Sequence, residues 1–97
     1  MGNITHQEEI FIDVDNELHQ TVKGMISDDY KERFKAEYKQ LTIRLDRLND
    51  MLNKYNNARL SFAPATPISL LEKQYRIMAD YERVLDERAI YEGINLD

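Results

Sequence analysis

The chain has no cysteine and no tryptophan, and only three of its 97 residues are glycine and two proline. Without thiols there is no disulfide scaffold, no cysteine-ligated zinc finger and no cysteine nucleophile. No apolar run approaches the roughly 18 residues of a membrane span, and the opening MGNITHQEEI lacks the basic flank and apolar stretch of a signal peptide. The expectation is a soluble, cytoplasmic protein with no membrane partner. Motifs of catalysis are missing as well: there is no HExxH, GxSxG, P-loop or dinucleotide fingerprint. His6 and His19 stand too far apart for one helical face or for metal-ligand spacing, and the adjacent acids Asp86 and Glu87 would point about 100° apart on a helix. A non-enzyme without metal or cofactor is expected.

What remains is a helix-rich composition. Hydrophobic residues make up 42% and charged residues 32%, enough apolar material for one folded domain and too little chain for two. The net charge of −5 is unevenly spread: residues 1–29 carry −6, residues 30–59 carry +4 and residues 60–97 carry −3. An acidic chain of this kind is a poor binder of duplex nucleic acid, which rewards general basicity. A small anion held by a local arginine cluster is compatible with the basic middle third, and so is a simple solvating role for alternating surface charges.

Two long helices can be read from spacing. Ser27-Asp28-Asp29 is a helix start, with Ser27 capping a first turn whose acids suit the dipole. Phe34, Tyr38, Leu41, Leu45, Leu48, Leu52 and Tyr55 then follow at alternating intervals of four and three, a coiled-coil seam that leaves Ile43 outside it. Asn56-Asn57 is the stop, so the first helix spans about 28–57. Both prolines fall between Leu60 and Pro67, which makes that stretch a loop; Thr66 reads as an N-cap and Pro67 as the first residue of a second helix over about 67–92, closed by Gly93.

The fold class is therefore all-α, an antiparallel helical hairpin over 27–97 preceded by an N-terminal segment over 1–26. In that segment Ile10, Val14, Leu18 and Val22 have helical spacing, whereas residues 9–14 also alternate as a short strand does. Helix is preferred, with Gly24 expected to break it from the next element. On the second helix Leu71, Tyr75, Met78, Leu85 and Ala89 form one stripe, and Leu70, Ile77, Tyr81, Val84 and Tyr91 form another beside it. One partner helix covers one stripe. The other is left to the N-terminal segment of the same chain or to the same hairpin of another chain, and assembly into a homo-oligomeric bundle, a dimer or a tetramer, is the expected solution.

Tyrosines and arginines of the second helix are the candidate binding residues. Tyr81, Arg88 and Tyr91 share a face over the last turns, flanked by Tyr75, Arg76 and Arg83. Aromatic rings stack on nucleobases and a guanidinium forks onto phosphate, so this group suits a nucleotide. Packing at a helix seam, with Arg88 paired to Glu92, is the alternative. Arg44 and Arg47 of the first helix either pair with Asp46 and Asp50 or, brought against Tyr81 and Arg88 of a second chain, complete a cationic pocket. Ser61, Thr66 and Ser69 surround the start of the second helix, where free N–H groups favour anions, although capping is the expected use of Thr66.

The run Tyr30-Lys31-Glu32-Arg33 through Leu41, Arg44-Leu45 and Leu48, followed by Leu70-Leu71, Gln74, Met78, Tyr81, Leu85 and Arg88, resembles small helical-hairpin proteins of bacteriophages and prophages over about residues 28–96. It is similar to the sponge proteins that phages direct against the bacterial CBASS immune system. That resemblance implies a homo-oligomer in the host bacterial cytoplasm that sequesters cyclic oligonucleotide signals, cyclic di- or trinucleotides, without degrading them. Two other roles stay open: inhibition of a host defence enzyme through the acidic first third, and an accessory part in phage assembly.

Overall fold

A computed structural model describes residues 17–97 of the chain. Ile10, Val14, His6 and the strand alternative for residues 9–14 lie outside the described residues. Three helices are delimited, α1 at Val22–Met25, α2 at Tyr30–Asn56 and α3 at Ile68–Glu92, and there is no strand among the described residues. The chain divides into two compact units, one ending at Gln40 and one running from Leu41 to Asp97, with α2 continuous through the boundary.

In the first unit residues 17–20 are also helical and turn at Thr21, a buried residue whose hydroxyl donates to the Leu18 carbonyl at 2.6 Å. Gly24 does not break the chain as its type suggests. It lies inside α1, so close to α2 that a Cβ there would stand 2.7 Å from the Ala36 Cβ and 3.3 Å from the Glu32 carbonyl oxygen. The break comes later, over residues 26–29. Ser27 was expected to cap a helix beginning near Asp28, but α2 begins two residues further on. Asp29 is the cap, its Oδ1 accepting from the Lys31 N–H at 3.0 Å, while Ser27 Oγ accepts from the Asp29 N–H at 3.1 Å. Phe34, 2% exposed, anchors this unit with the Tyr30 ring against it edge-on at 6.3 Å.

The second unit is the hairpin. Thr42 donates to Glu82 Oε2 at 3.0 Å. Thr42 and Glu82 stand equally far, about 21 Å of helix, from the two ends that the loop joins, and only an antiparallel pair places them together. Leu41, Leu45 and Leu52 of α2 and Leu85 and Ala89 of α3 are buried, with Leu85 at 1% exposure the most enclosed; Leu71, Tyr75 and Met78 are half-buried beside them.

Burial departs in places from the seam read in the sequence. Leu48 is only half-buried and Tyr55 is exposed, whereas Ile43, expected to lie off the seam, is buried. Ile43 points about 160° away from Leu45 and shares its side of α2 with Ala36, seven residues earlier. The helix therefore buries two opposite sides. The second is short and includes an alanine, too weak a signal for a periodicity search to register.

Both long helices end in the same hydrogen-bond pattern. At the end of α3, Gly93 takes the left-handed conformation (φ 66°), its N–H donates to the Ile90 carbonyl at 3.4 Å and the Ile94 N–H donates to the Ala89 carbonyl at 2.9 Å, with Ile94 buried. At the end of α2, the Ala58 N–H reaches Tyr55 and the Arg59 N–H reaches Lys54 in the same way, but the left-handed residue is Ala58 at φ 56°. The start of α3 is one residue later than expected: Pro67 occupies the cap position and Thr66 lies outside it, while the Pro67 carbonyl accepts from Leu70 and Leu71.

Candidate ligand-binding face

Helix α3 carries its packing residues on one side and a second apolar stripe on another. Leu70, Ile77, Tyr81, Val84 and Tyr91 are all exposed, as a lone hairpin with one partner helix requires. Tyr81, Arg88 and Tyr91 lie within about 80° of one another around the helix axis, so the structure brings these three to one face. Tyr81 is 42% exposed and Tyr91, in the last turn, 91% exposed.

Arg88 is held at this face by a local partner. Its Nε donates to Glu92 Oε2 at 3.0 Å, one turn on, in a pair whose side chains are 46% and 31% exposed. An exposed pair at this spacing contributes about 0.3–0.5 kcal/mol, whereas a charge-assisted hydrogen bond to phosphate contributes about 1.5–3 kcal/mol.

The other sequence candidates go elsewhere. Tyr75 is half-buried on the packing side, about 120° from Tyr81, and Arg76 is exposed about 140° away in the other direction. Arg83 is paired with Asp80. Arg44 and Arg47 are both exposed on α2, and Asp50, a candidate partner for Arg47, accepts from Lys54 at 3.1 Å.

The loop end holds an open concavity of about 570 Å³ that sequence reading did not single out. Tyr55, Leu60, Phe62, Pro64, Pro67 and Ile68 line it, with Tyr55 and Phe62 exposed. Its lining is mostly apolar, and of the free first-turn N–H groups that made Ser61, Thr66 and Ser69 an anion-site candidate that of Leu70 is occupied by the Pro67 carbonyl. An aromatic in a proline-bounded loop, Phe62, is the feature of the sequence that marks this place. Among the described residues no cluster of three or more His, Cys, Asp and Glu is placed to hold a metal, and no helix is long and apolar enough to cross a membrane.

The described residues are helical, and α3 of the hairpin carries exposed tyrosine rings and a guanidinium on one side. The family model for Sequestin matches residues 28–91, from two residues before α2 to the last turn of α3. The chain belongs to the Sequestin family. Membership suggests a role in sequestering cyclic nucleotides against a host defence system. No curated protein and no solved structure matches the chain. The family match covers the hairpin and leaves residues 1–27 outside it.

Proposed function

We propose that this protein, carried by a phage or prophage, binds cyclic di- or trinucleotide immune signals in the host bacterial cytoplasm and withholds them, chemically unchanged, at the subunit interfaces of a homo-oligomer. The observation that carries this reading is the common exposure of Tyr81, Arg88 and Tyr91 on one face of α3. The tyrosine rings stack against bases and Arg88 meets a phosphate, and Arg44 and Arg47 of a neighbouring copy supply further positive charge. A locally positive pocket is needed because the chain as a whole carries −5 and repels an anion at long range.

Sequestration that outcompetes an immune receptor calls for nanomolar affinity, about −12 kcal/mol, within reach of a few stacked bases and paired phosphates only in a preformed pocket. Calorimetry against a panel of cyclic nucleotides, with the recovered ligand identified by chromatography, is the test. Saturable heat and an intact ligand are expected. No heat for any member would favour inhibition of a host protein or a structural accessory role, and a linearised product would reveal an enzyme.

A further inference from the structure

We propose that the outward stripe of α3 seats a second copy of this chain, antiparallel to the first, with Lys73 of each copy meeting Glu87 of the other. This rests on the homo-oligomer in the reading above; because the seam contains Tyr81, Arg88 and Tyr91, a nucleotide held by them would lie between the two copies. The stripe is a complete seam: Leu70, Gln74, Ile77, Tyr81, Val84, Arg88 and Tyr91 alternate in intervals of four and three along the whole helix. Its apolar members are open, with Leu70 at 54%, Ile77 at 57% and Val84 at 50% exposure. Together with Tyr81 and Tyr91 they expose on the order of 500 Å² per copy, so a symmetric pair covers about 1,000 Å², the size at which a specific interface begins.

Charge selects the direction. A parallel, in-register pair would set Arg88 against Arg88 inside the seam, which an antiparallel pair avoids. Along the edge of the seam stand Lys73, Asp80 and Glu87, each exposed and seven residues from the next. Lys73 and Glu87 are equally distant from Asp80, so a twofold axis beside Asp80 joins Lys73 to Glu87 of the partner subunit twice over. Within one helix these two are about 21 Å apart and cannot meet. Neither has an ion-pair partner among the described residues, whereas Asp80, which the axis would bring near its own copy, is already neutralised by Arg83.

Because the chain has no cysteine, Asp80→Cys supplies a unique thiol beside the axis. In the full-length protein without nucleotide, a short bismaleimide should convert this variant to covalent dimer, and Glu72→Cys, on the far side of α3, should stay monomeric on denaturing gels. Sedimentation equilibrium should find that Lys73→Glu and Glu87→Lys each weaken association about tenfold, and that the double exchange restores it, since only contacts between chains can be rescued in this way. Circular dichroism of these surface variants confirms that the helices are intact. A double variant no stronger than the singles, equal cross-linking of Glu72→Cys, or a monomeric wild-type mass would overturn the proposal. Success here with no nucleotide heat would instead remove the ligand reading alone.

Discussion

Ala58→Gly should stabilise the protein, and the size of the effect follows from comparing the two helix ends. Ala58 and Gly93 occupy the same place in the same hydrogen-bond pattern, both at positive φ, yet only Gly93 lacks the Cβ that crowds the following carbonyl. A left-handed conformation costs an L-residue about 1–2 kcal/mol. Glycine removes that strain but gives the unfolded chain more freedom, which returns about 0.4–1 kcal/mol to the other side. The net gain is about 0.5–1 kcal/mol, or roughly 2–8 °C in Tm for a chain of this length. Thermal and urea unfolding at matched protein concentration measure it, since association would shift both curves. Gly93→Ala is the mirror control and should lower stability by about 1 kcal/mol. An unchanged or lowered midpoint for Ala58→Gly, beside a destabilised Gly93→Ala, would refute the assignment of a strained residue to the end of α2.

Three other substitutions test the remaining contacts. Gly24→Ala gains up to about 1 kcal/mol of helix propensity but drives a Cβ to 2.7 Å from Ala36, and overpacking of about 1–3 kcal/mol should win; faster hydrogen exchange over residues 17–26 is expected, relieved by adding Ala36→Gly. Ile43→Ala should cost about 2–4 kcal/mol in urea unfolding and exceed Leu48→Ala, the reverse of the order that seam spacing implies; a larger loss at Leu48 would show that the second buried side of α2 is wrong. Arg88→Ala should weaken cyclic-nucleotide binding by more than about 1.5 kcal/mol, over tenfold, without altering the unfolding midpoint by more than about 0.5 kcal/mol. Unchanged affinity in calorimetry would take Arg88 out of the site.

The hairpin was legible because the signals that define it are local: the alternating intervals from Phe34 to Leu52, two prolines confined to one stretch, and Gly93 where a helix must stop. The common face of Tyr81, Arg88 and Tyr91 was legible for the same reason, since helical geometry turns spacing into direction. Tyr75 and Arg76 show where that reasoning slackened. They are close to Tyr81 in sequence, but at about 100° per residue nearness in sequence does not mean a shared face. Gly24 and Ile43 were not legible at all. The first is explained by an approach between helices and the second by burial on a side with too few apolar residues to make a period. Arg44 and Arg47 are exposed on α2, and the pairing proposed for them with the α3 face would involve a second chain, which no pattern within one chain encodes.

The bond between Thr42 and Glu82 has a consequence for how the protein is made. Forty residues separate its partners. A ribosome adding about 5–20 residues per second needs about 2–8 s to travel from one to the other, whereas a helical hairpin rich in local contacts closes in microseconds to milliseconds. Throughout those seconds the Leu41, Leu45 and Leu52 side of α2 emerges with no helix to lie against. Neighbouring nascent chains on one message carry the same uncovered side. The length of that exposure is set by translation and not by folding, so synonymous codon choice over residues 57–85 is a lever on the yield of this protein that leaves its final structure untouched.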